Sequence, residues 1–247
     1  MNILIVESDN DQYFIEAIVK KVSSETKFYQ IDEYKHSSLD EKKLTTQITN
    51  SLTDTVSRNV SKIGIILDMD DSTQEKRIEL INKCLKKSFS ECGYLDLHGL
   101  LTNTNEFITC QIDDYLSVKI ACFFTNIDGK GELETILKEI KVAESIFADC
   151  LYDGWLKCVS DRGKKLGGKG EQCDISDKEL LKLWVDFYKR FDTLKRKDRN
   201  EENTDWRGIM TGITKKDKPL SNTRGEDIFD LSSKKLDDIK LFLKMFD

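Results

Sequence analysis

Apolar and polar positions alternate along the chain in two rhythms. Ile3-Leu4-Ile5-Val6 and Ile63-Gly64-Ile65-Ile66-Leu67 are short unbroken apolar runs, the pattern of strands covered on both faces. Phe28–Ile31 predicts a further strand, and shorter β-like pieces fall at 93–97, 106–112 and 118–124. Between them the apolar residues recur at helical spacing. Tyr13, Phe14, Ala17, Ile18 and Val22 predict a helix over 11–22 that Asp9 or Asn10 can cap. Leu44, Ile48, Leu52 and Val56 predict another over 40–60, and Ile78, Ile81, Cys84 and Leu85 share one face of a third over 73–87. Helices over 132–140 and 142–158 follow, then a loop rich in glycine and lysine at 160–176. A long helix over 178–197 carries the aromatic stripe Trp184, Phe187, Tyr188 and Phe191, which reads as core or partner interface. Residues 199–226 are polar and loop-like, and 234–246 form a closing helix with Leu236, Ile239, Leu243 and Phe246 on one side.

Strands alternating with helices over 1–140 predict the α/β class: a sheet of mainly parallel strands with helices on both faces. A helical, basic C-terminal elaboration is expected beyond it. The expected division is a core at 1–140, a helical and basic insertion or subdomain at 141–233, and a C-terminal helix at 234–247 packing back on the core. No internal repeat is visible.

Composition narrows the class. With 38% hydrophobic residues in 247 and a single proline, Pro219, the chain can bury a core, which excludes wholesale disorder. No apolar run approaches a membrane span, so no membrane partner is expected. Met1–Val6 lacks the basic lead of a signal peptide. Cysteines 84, 92, 110, 122, 150, 158 and 173 never form a CxxC pair and read as reduced thiols, pointing to the cytoplasm. Two histidines, His36 and His98, cannot build a His-rich centre, so a metal here would be hard and oxygen-bound, Mg²⁺ or Mn²⁺.

The net charge of -6 hides an asymmetry. Residues 1–154 carry 17 basic and 27 acidic side chains, whereas 155–200 carry 13 and 8. The basic segment is either a solvated face or a contact surface for phosphates. Its candidate contacts are Lys164, Lys165, Lys169, Lys189, Arg190, Lys195 and Arg196. A cationic last helical turn would account for Lys189 to Arg196 without any ligand. Gly163 to Lys169 fits GxxxxGK, but no Ser or Thr follows and no buried strand precedes it, so a surface loop or a basic phosphate contact is expected over a nucleotide-binding loop. Lys215 and Lys216 read as surface lysines, with a phosphate contact as the sharper option.

The acidic part is more specific. In an open α/β sheet, chemistry collects beyond the carboxyl ends of the strands. The first buried run delivers Glu7 there, and the second delivers Asp68 and Asp70. Side chains alternate along a strand, so Asp68 and Asp70 point the same way if extended geometry persists. With the two strands adjacent, Glu7 reaches the pair, and convergent carboxylates call for a divalent cation. The plainer alternative is a set of solvent-facing loop acids and helix caps.

These residues resemble the Toprim superfamily, in which a strand precedes a catalytic glutamate and a later strand precedes Asp-x-Asp. The matching segments are Ile3-Leu4-Ile5-Val6-Glu7 and Ile63-Gly64-Ile65-Ile66-Leu67-Asp68-Met69-Asp70. More narrowly, the chain is similar to small stand-alone Toprim-like proteins of unknown function related to the OLD-family nucleases. The similarity rests on Val6-Glu7-Ser8-Asp9-Asn10-Asp11-Gln12-Tyr13-Phe14, on Gly131-Glu132-Leu133-Glu134-Thr135-Ile136-Leu137, and loosely on Leu241-Phe242-Leu243-Lys244-Met245-Phe246. Ser8 replaces the usual glycine, Asn126-Ile127-Asp128 replaces Pro-Asp-Asn, and 155–225 has no counterpart.

The resemblance implies Mg²⁺- or Mn²⁺-dependent cleavage of phosphodiester bonds in DNA or RNA. Asp68 and Asp70 would bind metal, Glu7 would bind metal or act as general acid/base, and Asp11 and Glu134 would complete a second position or a second shell. It also implies a role in phage defence beside an ABC-type ATPase partner. The rival expectation is a non-catalytic Toprim-fold module that binds a protein partner or a nucleotide.

Overall fold

The computed structural model describes residues 1–18, 26–30, 41–94, 99–129, 131–166, 177–213, 216, 219 and 225–247. In chain order the elements are β1 (Asn2–Val6), α1 (Asp9–Ile18), β2 (Thr26–Gln30), α2 (Glu41–Arg58), β3 (Lys62–Asp68), α3 (Gln74–Cys92), β4 (Ile108–Gln111) and β5 (Ser117–Thr125). There follow α4 (Leu133–Glu139), α5 (Ile146–Leu166), α6 (Asp177–Phe187), α7 (Trp206–Thr211), α8 (Gly225–Ile228) and α9 (Asp237–Lys244). They form two compact units: a core unit of Met1–Gly131 with Lys234–Asp247, and a helical unit of Glu132–Ser233. The division after β5 thus falls at Gly131, ahead of the expected residue 140.

The core unit is an α/β fold consistent with a Toprim-like core. Its five strands lie in the order β2-β1-β3-β5-β4, with β2, β1, β3 and β5 parallel and β4 antiparallel to β5 at one edge. The apolar runs are continuous because both faces are covered. Ile3, Ile5, Ile63, Ile65, Leu67, Ile120 and Cys122 face one side and pack with Leu44, Ile48 and Leu52 of α2 and Ile78, Ile81 and Leu85 of α3. Residues of the opposite parity face α9: the rings of Phe123 and Phe242 lie 5.6 Å apart. Gly64 makes that approach possible, since a Cβ there would lie 2.6 Å from Leu4 Cδ2 and 2.7 Å from Phe246 Cζ. Lys62 Nζ donates to the carbonyls of Met245 (2.7 Å) and Asp247 (3.0 Å), fastening this last segment to β3. Cys110 and Cys122 are free and buried, and burial pushes both thiols up to about 12.

Several boundaries differ from expectation for local reasons. α1 begins at Asp9, because Ser8 rather than Asp9 or Asn10 caps it. α3 runs on to Cys92, where Gly93 (φ +68°) takes the left-handed position and Tyr94 N–H returns to Phe89 O at 3.1 Å. That ending occupies the start of the strand expected at 93–97, of which 95–97 lie outside the described residues. α5 reaches Leu166, so Lys164 and Lys165 belong to a helix. Lys169, Lys215, His36, His98 and Cys173 lie outside the described residues. The long helix expected over 178–197 is α6 followed by a π-type turn, Tyr188–Asp192, and a separate short turn at Arg196–Asp198. Lys195 and Arg196 therefore stand beyond the helix end.

The helical unit is organised by the aromatic stripe. Trp184 and Tyr188 are fully buried, and their rings stack 5.1 Å apart at 11°. Tyr188 Oη accepts Ala143 N–H (2.8 Å) and donates to Ile228 O (3.0 Å). Burial pushes its phenol above the ordinary value. Trp184 Nε1 donates to Asp149 Oδ1 at 2.7 Å. The Asp192 carboxylate caps α5, accepting the N–H groups of Phe147 (2.8 Å) and Ala148 (2.9 Å).

Candidate metal site

β1 lies between β2 and β3, so the crevice beyond the carboxyl ends of β1 and β3 is the switch point of the sheet. Glu7 leaves β1 directly into it. Its Oε1 accepts the backbone N–H of Asp68 at 2.9 Å, so the first acid is tied to the strand that carries the second. Asp68 is the last residue of β3 and is 6% exposed. Met69 N–H donates to Thr125 O at 3.0 Å, continuing the pairing of β3 with β5 by one residue.

The extended geometry then stops. Asp70 has φ +51°, a left-handed conformation that aspartate tolerates better than most L-residues. Its N–H donates to Gly131 O at 2.8 Å, and Gly131 N–H donates back to Asp70 O at 3.2 Å. The chain reaches Gly131 through a turn in which Asn126 Oδ1 accepts Gly129 N–H at 2.9 Å. Gly131 itself has φ +95°, a conformation suited to glycine. The next residue, Glu132, is 3% exposed and opens α4, its N–H donating to Thr135 Oγ1 at 3.3 Å.

The paired backbones of Asp70 and Gly131 thus bring a third acid to the strand end. Asp68, Asp70 and Glu132 each offer a carboxylate oxygen, and these oxygens lie within 4.8 Å of one another. Three like charges this close repel unless a cation joins them. The donor set is all carboxylate oxygen, which fits a hard divalent ion such as Mg²⁺ or Mn²⁺. One cation is built in. Arg77, on the first turn of α3 and 7% exposed, places Nη2 2.5 Å from Asp70 Oδ2.

The residues expected at the site fall into three groups. Asp68 and Asp70 are in the carboxylate group, and Glu7 is hydrogen-bonded to its edge. Asp11 is buried in the first turn of α1, where its Oδ2 accepts Ser8 N–H (2.9 Å) and Ser8 Oγ–H (2.6 Å). Asp11 N–H in turn lies 3.4 Å from Ser8 Oγ, so the pair forms a reciprocal cap. Glu134 is buried one residue into α4 and is not part of the group. Glu132, two residues earlier, is the acid at the start of α4 that joins Asp68 and Asp70.

The basic residues also separate. Lys189 is 6% exposed, pairs with Asp186 at 2.7 Å and lies 5.0 Å from the centre of the Trp206 ring. It packs inside the helical unit and does not offer itself to a phosphate backbone. Arg190, Lys195 and Arg196 are exposed. Lys216 is exposed and 3.8 Å from Glu201.

A family model described as "Protein of unknown function (DUF3226)" matches residues 1–206. No curated protein and no solved structure matches the chain.

Proposed function

We propose that this chain, which belongs to the DUF3226 family, is a Mg²⁺- or Mn²⁺-dependent nuclease of Toprim type that hydrolyses phosphodiester bonds in DNA or RNA. The observation that carries the reading is the convergence of Asp68, Asp70 and Glu132 beside Glu7 at the switch point of a mainly parallel sheet. Asp68, Asp70 and Glu132 would hold the ion. When bound, such an ion supplies positive charge to a phosphate and lowers the pKa of a coordinated water.

Glu7 spans from the end of β1 to the backbone of Asp68, which fixes its carboxylate against the group. From there it is the candidate general base or added ligand. Of the expected phosphate contacts, Arg190, Lys195 and Arg196 are exposed and remain candidates for a phosphate backbone. An ABC-type ATPase partner, a role in phage defence and a cytoplasmic location belong to the same proposal. Among the described residues no helix is long and apolar enough to cross a membrane.

The test is cleavage of labelled single- and double-stranded DNA and RNA by the full chain with Mg²⁺ or Mn²⁺, beside Glu7→Gln and Asp68→Asn. Metal-dependent cleavage by the wild type that falls to background in Asp68→Asn is the expected result. Equal cleavage by wild type and Asp68→Asn would overturn the site. A second reading, a non-catalytic module binding a protein partner or a nucleotide, is favoured by Ser8 and Asp11, which spend the first acidic motif on capping α1. Metal binding without cleavage of any of these substrates would select it.

A further inference from the structure

The turn at Asp70 is held by more than its pairing with Gly131. Arg77 reaches back from α3 and grips the same turn at two points. Its Nη2 lies 2.5 Å from Asp70 Oδ2, and both Nη2 (3.3 Å) and Nε (3.4 Å) donate to Met69 O. One planar guanidinium therefore ties the main chain before the left-handed residue to the side chain of that residue. A lysine has no such fork and can offer only a point charge. The helix that carries Arg77 starts at a defined place, because Thr73 caps it and Thr73 O accepts Arg77 N–H at 3.0 Å. The guanidinium is thus fixed from behind by α3 and from in front by the turn.

We propose that Arg77 is the positioning residue of the acidic site: an internal cation that holds Asp70 in its left-handed turn and so sets the carboxylate geometry a divalent ion meets. This rests on the metal-binding reading for its second consequence only. The first consequence is independent of metal. Asp70, half-buried and stripped of its arginine, is an uncompensated charge beside two buried carboxylates, and neutralising it removes part of that penalty.

The experiment uses the full chain with Arg77→Met, Arg77→Lys, Asp70→Asn and the double variant Arg77→Met/Asp70→Asn. Melting in EDTA is expected to show a lowered Tm for Arg77→Met that the double variant largely restores, a non-additivity reserved for groups in contact. Mn²⁺ binding, read by electron paramagnetic resonance on folded protein, is expected to weaken by about 10- to 100-fold in Arg77→Met, the usual cost of losing a group that orients a ligand. Arg77→Lys, which keeps the charge without the fork, is expected to keep much of the Tm and still lose affinity, and it carries the binding test if Arg77→Met does not fold.

Additive Tm losses, or unchanged Mn²⁺ affinity in the folded Arg77 variants, would overturn the proposal. A wild type that binds no Mn²⁺ would instead refute the metal reading. In that case the melting cycle alone decides whether Arg77 holds the turn.

Discussion

At the end of β3 carboxylates of one sign gather, whereas in the helical unit the buried Lys189 sits beside its opposite. Asp68, Asp70 and Glu132 converge within 4.8 Å, and Arg77 reaches Asp70 among them. In the helical unit the buried Lys189 meets Asp186 and the face of Trp206, and Arg199 lies 4.8 Å from the centre of the Phe191 ring. A charge neutralised by its neighbours is explained by packing alone. A group of like charges held together by backbone bonds is not, because its own electrostatics oppose it. The contrast separates a group of carboxylates that could hold a cation from a buried charge that its neighbours already neutralise.

That contrast makes opposite demands on substitution. Asp68→Asn is expected to raise the stability of the metal-free chain by about 1 kcal/mol, as a functional group kept against stability does when removed, while abolishing stabilisation by Mn²⁺. Urea melts with and without Mn²⁺ check both signs, and a destabilised metal-free variant would break the comparison. Lys189→Met is expected to change stability by no more than about 0.5 kcal/mol in the same melts, since its partner Asp186 is exposed and a methionine can fill the space. It should leave any affinity for nucleic acid unchanged, measurable by filter binding; a clear loss would return Lys189 to the phosphate contacts.

The smallest effect concerns Asp149. Burial pushes its carboxyl up, but hydrogen bonds from Ser145 and Trp184 outweigh it and hold the group below its ordinary value. A depressed folded value means that its stabilising contribution is complete above the unfolded value and is lost as pH falls through the folded one. Trp184 fluorescence should therefore report a transition below about pH 4, the range where an unperturbed aspartate titrates, and Asp149→Asn should remove it.

Much of the core could be read from the chain because its strands are apolar on both faces and need no partner to be recognised. Ile3–Val6 and Ile63–Leu67 announce β1 and β3, and their adjacency brings Glu7 to Asp68. What escaped depends on local backbone choices that compete with periodicity. Asp70 leaves the strand by a left-handed turn, so its place beside Asp68 comes from the pairing with Gly131 and not from strand alternation. The spacing Ser8-x-x-Asp11 is a capping signal, and it accounts for Asp11 without a metal. A similar signal, Glu132 followed three residues later by Thr135, marks Glu132 as the residue that opens α4 beside Gly131. Arg77 left no such trace, because nothing in the spacing of a helical arginine tells which loop it will reach. The π-type turn at Tyr188–Asp192 was equally silent, since its residues keep a helical apolar pattern.

The dependence of β3 on α9 has a consequence in time. Gly64 leaves the gap that Phe246 fills, and the carbonyl of Phe246 accepts from the side-chain amide of Asn2. On the ribosome, the sheet would emerge without α9, and the whole helical unit would follow before that part of its cover arrived. Contacts that span nearly the full chain are slow to close. Synthesis therefore imposes a waiting period on the core, during which the apolar face around Leu4, Gly64 and Phe123 is the part of the nascent chain most in need of shelter.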